Sequence, residues 1–69
     1  MRVKLHIREI CEQRGLSRTW LSHHAEIQYD TVSGIWNNPN RDISIVTLLK
    51  IARALQVDIH DLYEAIPDE

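Results

Sequence analysis

Few side chains in this sequence are suited to covalent or metal chemistry, and their spacing argues against it. The chain has 69 residues, one cysteine (Cys11) and four histidines (His6, His23, His24 and His60). His23 and His24 are adjacent, so on a helix their rings point about 100° apart and do not converge on one ion. Neither has a cysteine or an acid at ligand spacing, so no metal site and no cofactor is expected. No serine, histidine and acid fall together in a context that supports nucleophilic catalysis, and no glycine-rich phosphate loop is present, so an enzyme is not expected. Cys11 shares an apolar stripe with Ile7 and Ile10 and reads as a small hydrophobe, not a nucleophile. A lone cysteine has no internal disulfide partner, and a reducing, cytoplasmic setting is the default.

The polar residues that remain are suited to recognition. Residues 1–41 hold six basic side chains (Arg2, Lys4, Arg8, Arg14, Arg18, Arg41) against four acids, a balance of +2. Residues 42–69 hold two (Lys50, Arg53) against six, a balance of −4, so the whole chain is at −2. The first part is therefore able to face a polyanion while the acidic end faces away; an ordinary mixed surface is the alternative. Hydrophobic residues at 43% suit a single globular domain and not a disordered chain. No apolar run approaches the roughly 20 residues that span a bilayer, so no membrane association is expected. The segment Met1–His6 lacks the apolar run of a signal peptide.

The elements that must position these residues are short helices. Ile7, Ile10, Cys11 and Arg14 form one stripe, closed by Gly15 as a C-terminal cap. Ser17 is an N-cap for a helix over 18–25 that buries Leu21 and Ala25. Ile27 sits in a turn, and a helix over about 28–37 buries Val32, Ile35 and Trp36. Pro39 ends it by barring helical geometry at Asn38. Ser44 caps a helix over 45–56 with Leu48, Ile51, Ala52 and Leu55 inward. Asp58 caps a fifth, short helix, with Asp61 placed for a near capping box; Val57, Ile59 and Leu62 close the core. Val3 and Leu5 alternate with polar neighbours, as does the segment Tyr63–Ile66. These ends read either as two short strands that pair or as frayed termini.

Residues 15–38, with Leu21, Ala25, Val32 and Ile35 at their spacings, resemble the Cro/C1-type (Xre-like) helix-turn-helix family. Residues 48–57 (LLKIARALQV) resemble its fourth helix, and Asp61-Leu62 followed by Ile66-Pro67 resembles the ending of its small single-domain members. The resemblance covers nearly the whole chain. It implies a mainly α, five-helix, lambda-repressor-like domain over residues 1–69, with the helix-turn-helix at about 18–37. The function implied is sequence-specific regulation of transcription, with repression by operator occupancy. The partner implied is double-stranded DNA, bound by a homodimer. A protein-interaction module on the same fold, antitoxin-like or antirepressor-like, is the alternative.

On that resemblance, the outward face of helix 28–37 enters the major groove. Gln28 is then suited to adenine and Asp30 to cytosine N4, with Tyr29 and Ser33 beside them as base contacts. Gln28 as a plain helix cap is the competing reading, as is dipole stabilisation for Asp30. Backbone contacts fall to Arg18 at a helix N-terminus, to His24, and to Asn37, Asn38, Asn40 and Arg41 in the following loop. Turn chemistry explains the asparagines equally well. Several positions depart from the family pattern. Glu26 stands where glycine is usual, so a positive φ is expected there at a cost of roughly 1 kcal/mol. Gly34 stands where a reading side chain is usual, and the recognition helix has no Lys or Arg. Cys11 and Trp36 replace a family ion pair and are expected to be buried in contact. Self-association is expected through Val3, Leu5, Tyr63 and Ile66, or through Ile59 and Leu62.

Overall fold

The structure, a computed structural model, describes residues 1–67. Along them run β1 (Arg2–Leu5), α1 (Ile7–Gln13), α2 (Arg18–Ala25), α3 (Tyr29–Asn37), α4 (Ile45–Leu55), a 3-10 turn (Ile59–Leu62) and β2 (Tyr63–Ile66). Side-chain caps start two of the helices. Ser17 accepts the Trp20 N–H at 3.0 Å and Ser44 the Thr47 N–H at 3.1 Å, each satisfying a first-turn donor that has no intrahelical partner.

Three helices stop in the same way. At Gly15 (φ 68°) the Leu16 N–H reaches Cys11 O at 2.8 Å and the Gly15 N–H reaches Glu12 O at 3.2 Å. These are the paired bonds of a Schellman end. Glu26 (φ 57°) ends α2 with Ile27 N–H on Ser22 O at 3.2 Å, and Gln56 (φ 56°) ends α4 with Val57 N–H on Ala52 O at 3.1 Å. The positive φ expected of Glu26 is therefore present, and a second non-glycine residue shares it. Helix α4 stops at Leu55, one residue short of the expected 56, because Gln56 has already turned left-handed.

The fifth helix is corrected to one turn of 3-10 geometry, so the helices among the described residues are four α-helices and that turn. Asp58 accepts the His60 N–H at 2.8 Å and the His60 Nδ1–H at 2.7 Å. The Asp61 N–H bonds Asp58 O at 2.9 Å, an i to i+3 closure, and β2 begins immediately after. Four residues between the Asp58 cap and a strand have no room for an α-helical ladder.

The two ends pair. β1 and β2 are antiparallel, with Arg2 opposite Ile66, Val3 opposite Ala65, Lys4 opposite Glu64 and Leu5 opposite Tyr63. Alternation puts Leu5 into the core and leaves Lys4 and Glu64 exposed as a cross-strand pair of opposite charge. The core gathers Ile7 and Cys11 from α1, Leu21 from α2, Val32 and Ile35 from α3, Ile51 and Leu55 from α4, and Leu62. No polar side chain is buried among the described residues. Arg14 lies outside that core: its Nη1 donates to Leu55 O at 2.5 Å, so α1 caps the carbonyl end of α4. Cys11 is fully buried, but Trp36 is not. It is half-buried beside Leu5, Arg8 and Pro39 at a surface cavity of about 310 Å³, which corrects the expectation of two buried partners. Trp36 lies next to Ile35 near the end of α3, and the core takes Ile35.

Candidate nucleic-acid interface

Helices α2 and α3 are joined by Glu26, Ile27 and Gln28, and their facing side chains are small or apolar. Leu21, Ala25, Val32 and Ile35 are buried between the helices and the core, and the Ser22 hydroxyl donates to Ile27 O at 2.7 Å, locking the turn. With Val32 and Ile35 inward, helical periodicity turns Tyr29, Asp30, Ser33, Gly34 and Asn37 away from the core. Tyr29, Asp30 and Asn37 are exposed and Ser33 is half-buried.

Gln28 lies just outside this helix. It is the N-cap residue, extended at φ −65° and ψ 142°, and α3 begins one residue later than expected. Its carbonyl accepts from Thr31 N–H and Val32 N–H, while its side chain makes no capping bond. Plain capping therefore does not account for the exposed Gln28 amide.

Two arginines come to α3 from neighbouring elements. Arg18, the first residue of α2, holds its Cζ 5.9 Å from the centroid of the Tyr29 ring, within cation–π range. That contact ties the start of α2 to the start of α3. Arg41 comes from the loop that follows α3. A methyl group on Gly34 would overlap Arg41 Nη1 and stand 3.2 Å from its Cζ, so the guanidinium lies on the bare backbone of the helix. The sequence places Arg41 in the loop but does not show this approach. Its trace in the sequence is one glycine on the outward face of a helix with an arginine past its end, which does not fix where that side chain lies.

The other expected backbone contacts are spread around this surface. His24 is exposed on α2, stacked on Trp20 with ring centroids 4.1 Å apart and planes 14° apart. Its Nδ1 donates to Trp20 O at 2.9 Å, so Nε2 is the ring nitrogen that faces outward. Asn38 is the C-cap of α3, and its Oδ1 accepts from the Asn40 N–H at 3.3 Å, so one asparagine does serve the turn. The Arg41 N–H bonds Asn38 O at 3.2 Å, and Pro39 O accepts from the Leu5 N–H at 2.7 Å, pinning the loop to β1. Asn37, Asn38, Asn40 and Arg41 are all exposed.

The residues expected to mediate self-association differ in exposure. Leu5 and Leu62 are buried and unavailable for contact, and Val3, Ile59, Tyr63 and Ile66 are half-buried. Besides Met1 and Tyr29, the large exposed apolar side chains among the described residues lie on α4: Ile45 is 61% exposed, Val46 58% and Leu49 53%. Beside them Val3, Ile43, Ile45, Leu48 and Tyr63, together with Arg41 and Asp42, line a shallow, mostly apolar groove. Among the described residues no group of histidines, cysteines and acids is placed to hold a metal ion, and no helix is long and apolar enough to cross a membrane.

Comparison with known proteins identifies this arrangement. A family model described as a Cro/C1-type helix-turn-helix DNA-binding domain matches residues 6–68. The restriction-modification controller protein C.AhdI from Aeromonas hydrophila superposes with a TM-score of 0.73 at 28% identity, over 81% of this chain and 83% of its own. A protein from Bacteroides fragilis, to which DNA binding is attributed, superposes with a TM-score of 0.74 at 22% identity, over 90% of this chain and 98% of its own. That second likeness is one of fold alone. No curated protein matches the sequence.

Proposed function

The chain belongs to the Cro/C1-type helix-turn-helix DNA-binding domain family, and from that premise we propose that it represses transcription by seating α3 in the major groove of an operator. The observation that carries this reading is the outward face of α3. Tyr29, Asp30 and Asn37 are exposed there while Val32 and Ile35 hold the helix from behind, and Arg18 and Arg41 bring positive charge to its start and to Gly34. Tyr29, Asp30, Ser33 and the free Gln28 amide meet base edges. Arg18, His24, Asn37, Asn38, Asn40 and Arg41 meet the sugar-phosphate backbone on either side. The Aeromonas hydrophila neighbour is a restriction-modification controller protein, which supports a regulatory role.

The proposed active form is a dimer. One chain exposes one α3, and two copies are needed to read two half-sites about 34 Å apart. The exposed stripe Ile45, Val46 and Leu49 is the surface assigned to the second copy.

Selection from a random duplex library tests the reading. The expected result is an enriched pseudo-palindrome, bound with an affinity that falls steeply as salt rises, because phosphate contacts release counterions. Recovery of no sequence, with affinity for duplex DNA indifferent to salt, would overturn it in favour of a protein-interaction module.

A further inference from the structure

Helix α3 presents an unusual balance for a surface that meets DNA. Its sequence, YDTVSGIWN, carries the acid Asp30 and no Lys or Arg. Asp30 and Gly34 are four residues apart and so stack on one face, one turn from each other. At that turn the missing side chain leaves a notch, and the Arg41 guanidinium fills it. Among the described residues no hydrogen bond or ion pair occupies the guanidinium. The Arg41 main chain is held by its N–H on Asn38 O, and the loop by Pro39 O on the Leu5 N–H.

We propose that Arg41 is a base-reading residue: laid across Gly34, it takes the place of the side chain that α3 lacks and reads a guanine through O6 and N7. This rests on the DNA-binding reading above and changes the role of Arg41 from backbone contact to specificity determinant. Three features favour it. The guanidinium lies on the outward face of the helix itself, where base edges are met, and not at the flank where phosphates pass. Its planar fork matches the two acceptors of guanine, the commonest specific contact in the major groove. Its charge also brings a cation to a helix whose own charged side chain, Asp30, is acidic. Gly34 is the positioning residue in this arrangement, because any side chain there displaces the guanidinium.

The experiment compares the parent protein with Arg41→Ala, Gly34→Ala and the double variant. Each is titrated by fluorescence anisotropy against the duplex selected by the parent and against all its single-base substitutions. The parent is expected to lose roughly five- to 150-fold in affinity when one particular guanine is replaced. Arg41→Ala removes that penalty and leaves the preferences at other positions. Gly34→Ala removes the same penalty, and the double variant loses no more than either single change, since both disable one device. Thermal melts confirm that every variant is folded. A uniform loss of affinity in Arg41→Ala, with all base preferences kept, overturns the proposal and returns Arg41 to the phosphates. A Gly34→Ala protein that keeps the guanine penalty overturns the notch. A parent protein that selects no sequence removes the DNA-binding reading itself, a result distinct from either of these.

Discussion

The residues on the two sides of the α2–α3 unit differ in what they are expected to do, and single substitutions separate them. Arg18 carries charge without base-reading geometry, because its guanidinium is held over the Tyr29 ring. Arg18→Ala should weaken binding to all duplexes alike and lower the salt slope by about one. Gln28→Ala should instead relax preference at one base position by roughly 1–3 kcal/mol, because the Gln28 amide has no cap to make. Anisotropy titrations over a range of salt concentrations distinguish the two. Cys11 gives a residue-scale check on the core. Burial pushes its thiol above the ordinary value of 9.0, so the native thiol stays protonated at neutral pH. Iodoacetamide should leave the native protein unmodified and label it quickly in denaturant. The raised value also sets the sign of the pH effect. The native state keeps this proton more tightly than the unfolded chain, so the contribution is complete below about pH 9 and is lost as pH climbs further.

Helix ends show which parts of the fold were legible in the sequence. Ser17, Ser44 and Gly15 announced their caps, because side-chain oxygens and glycine have strong positional preferences, and all three act as expected. Gln56 announced nothing. A glutamine has no preference for left-handed geometry and is carried there by the packing of Leu55 and Val57 on either side. The fifth helix failed for a related reason: Asp58 correctly marked a start, but the four residues after it ran straight into a strand. Trp36 departs from expectation because an aromatic on an apolar face reads as core, whereas the neighbouring Ile35 fills that space. The outward polar residues of α3 were legible from periodicity alone. The contact between Arg41 and Gly34 was not, because no local rule says where a loop side chain will lie. Strain at the two non-glycine caps is testable. Glu26→Gly and Gln56→Gly should each stabilise the domain by roughly 0.5–1 kcal/mol, since relief of the left-handed penalty is partly offset by the greater freedom of the unfolded chain. Chemical denaturation with unchanged m values checks this; a loss of stability at either site would mean that its side chain makes a contact worth more than the strain.

At the scale of the whole molecule the assembly reading makes a sharp demand. If a second copy covers Ile45, Val46 and Leu49, then Leu49→Lys should leave the melting curve of the dilute monomer within about 0.5 kcal/mol of the parent, as for an exposed site. The parent should scatter light as a dimer at tens of micromolar, and the same change should abolish that dimer and reduce affinity for the two-half-site duplex more than for a half-site. A Leu49→Lys protein that remains dimeric would move the interface elsewhere. The closing ribbon of β1 and β2 has a consequence in time as well as in space. Leu5 pairs with Tyr63 and Arg2 with Ile66, so the two ends of the sequence meet only after everything between them has been made. Helices α1 to α4 gather through short connections, but the ribbon needs the largest loop closure in the chain, and such contacts form late. A contact absent from the transition state slows unfolding without speeding folding. The ribbon is therefore a latch: Val3→Ala should leave the refolding rate nearly unchanged and raise the unfolding rate, shortening the life of the folded domain against proteases. A nascent chain halted before Tyr63 would hold all four α-helices and yet have no latch to keep them together.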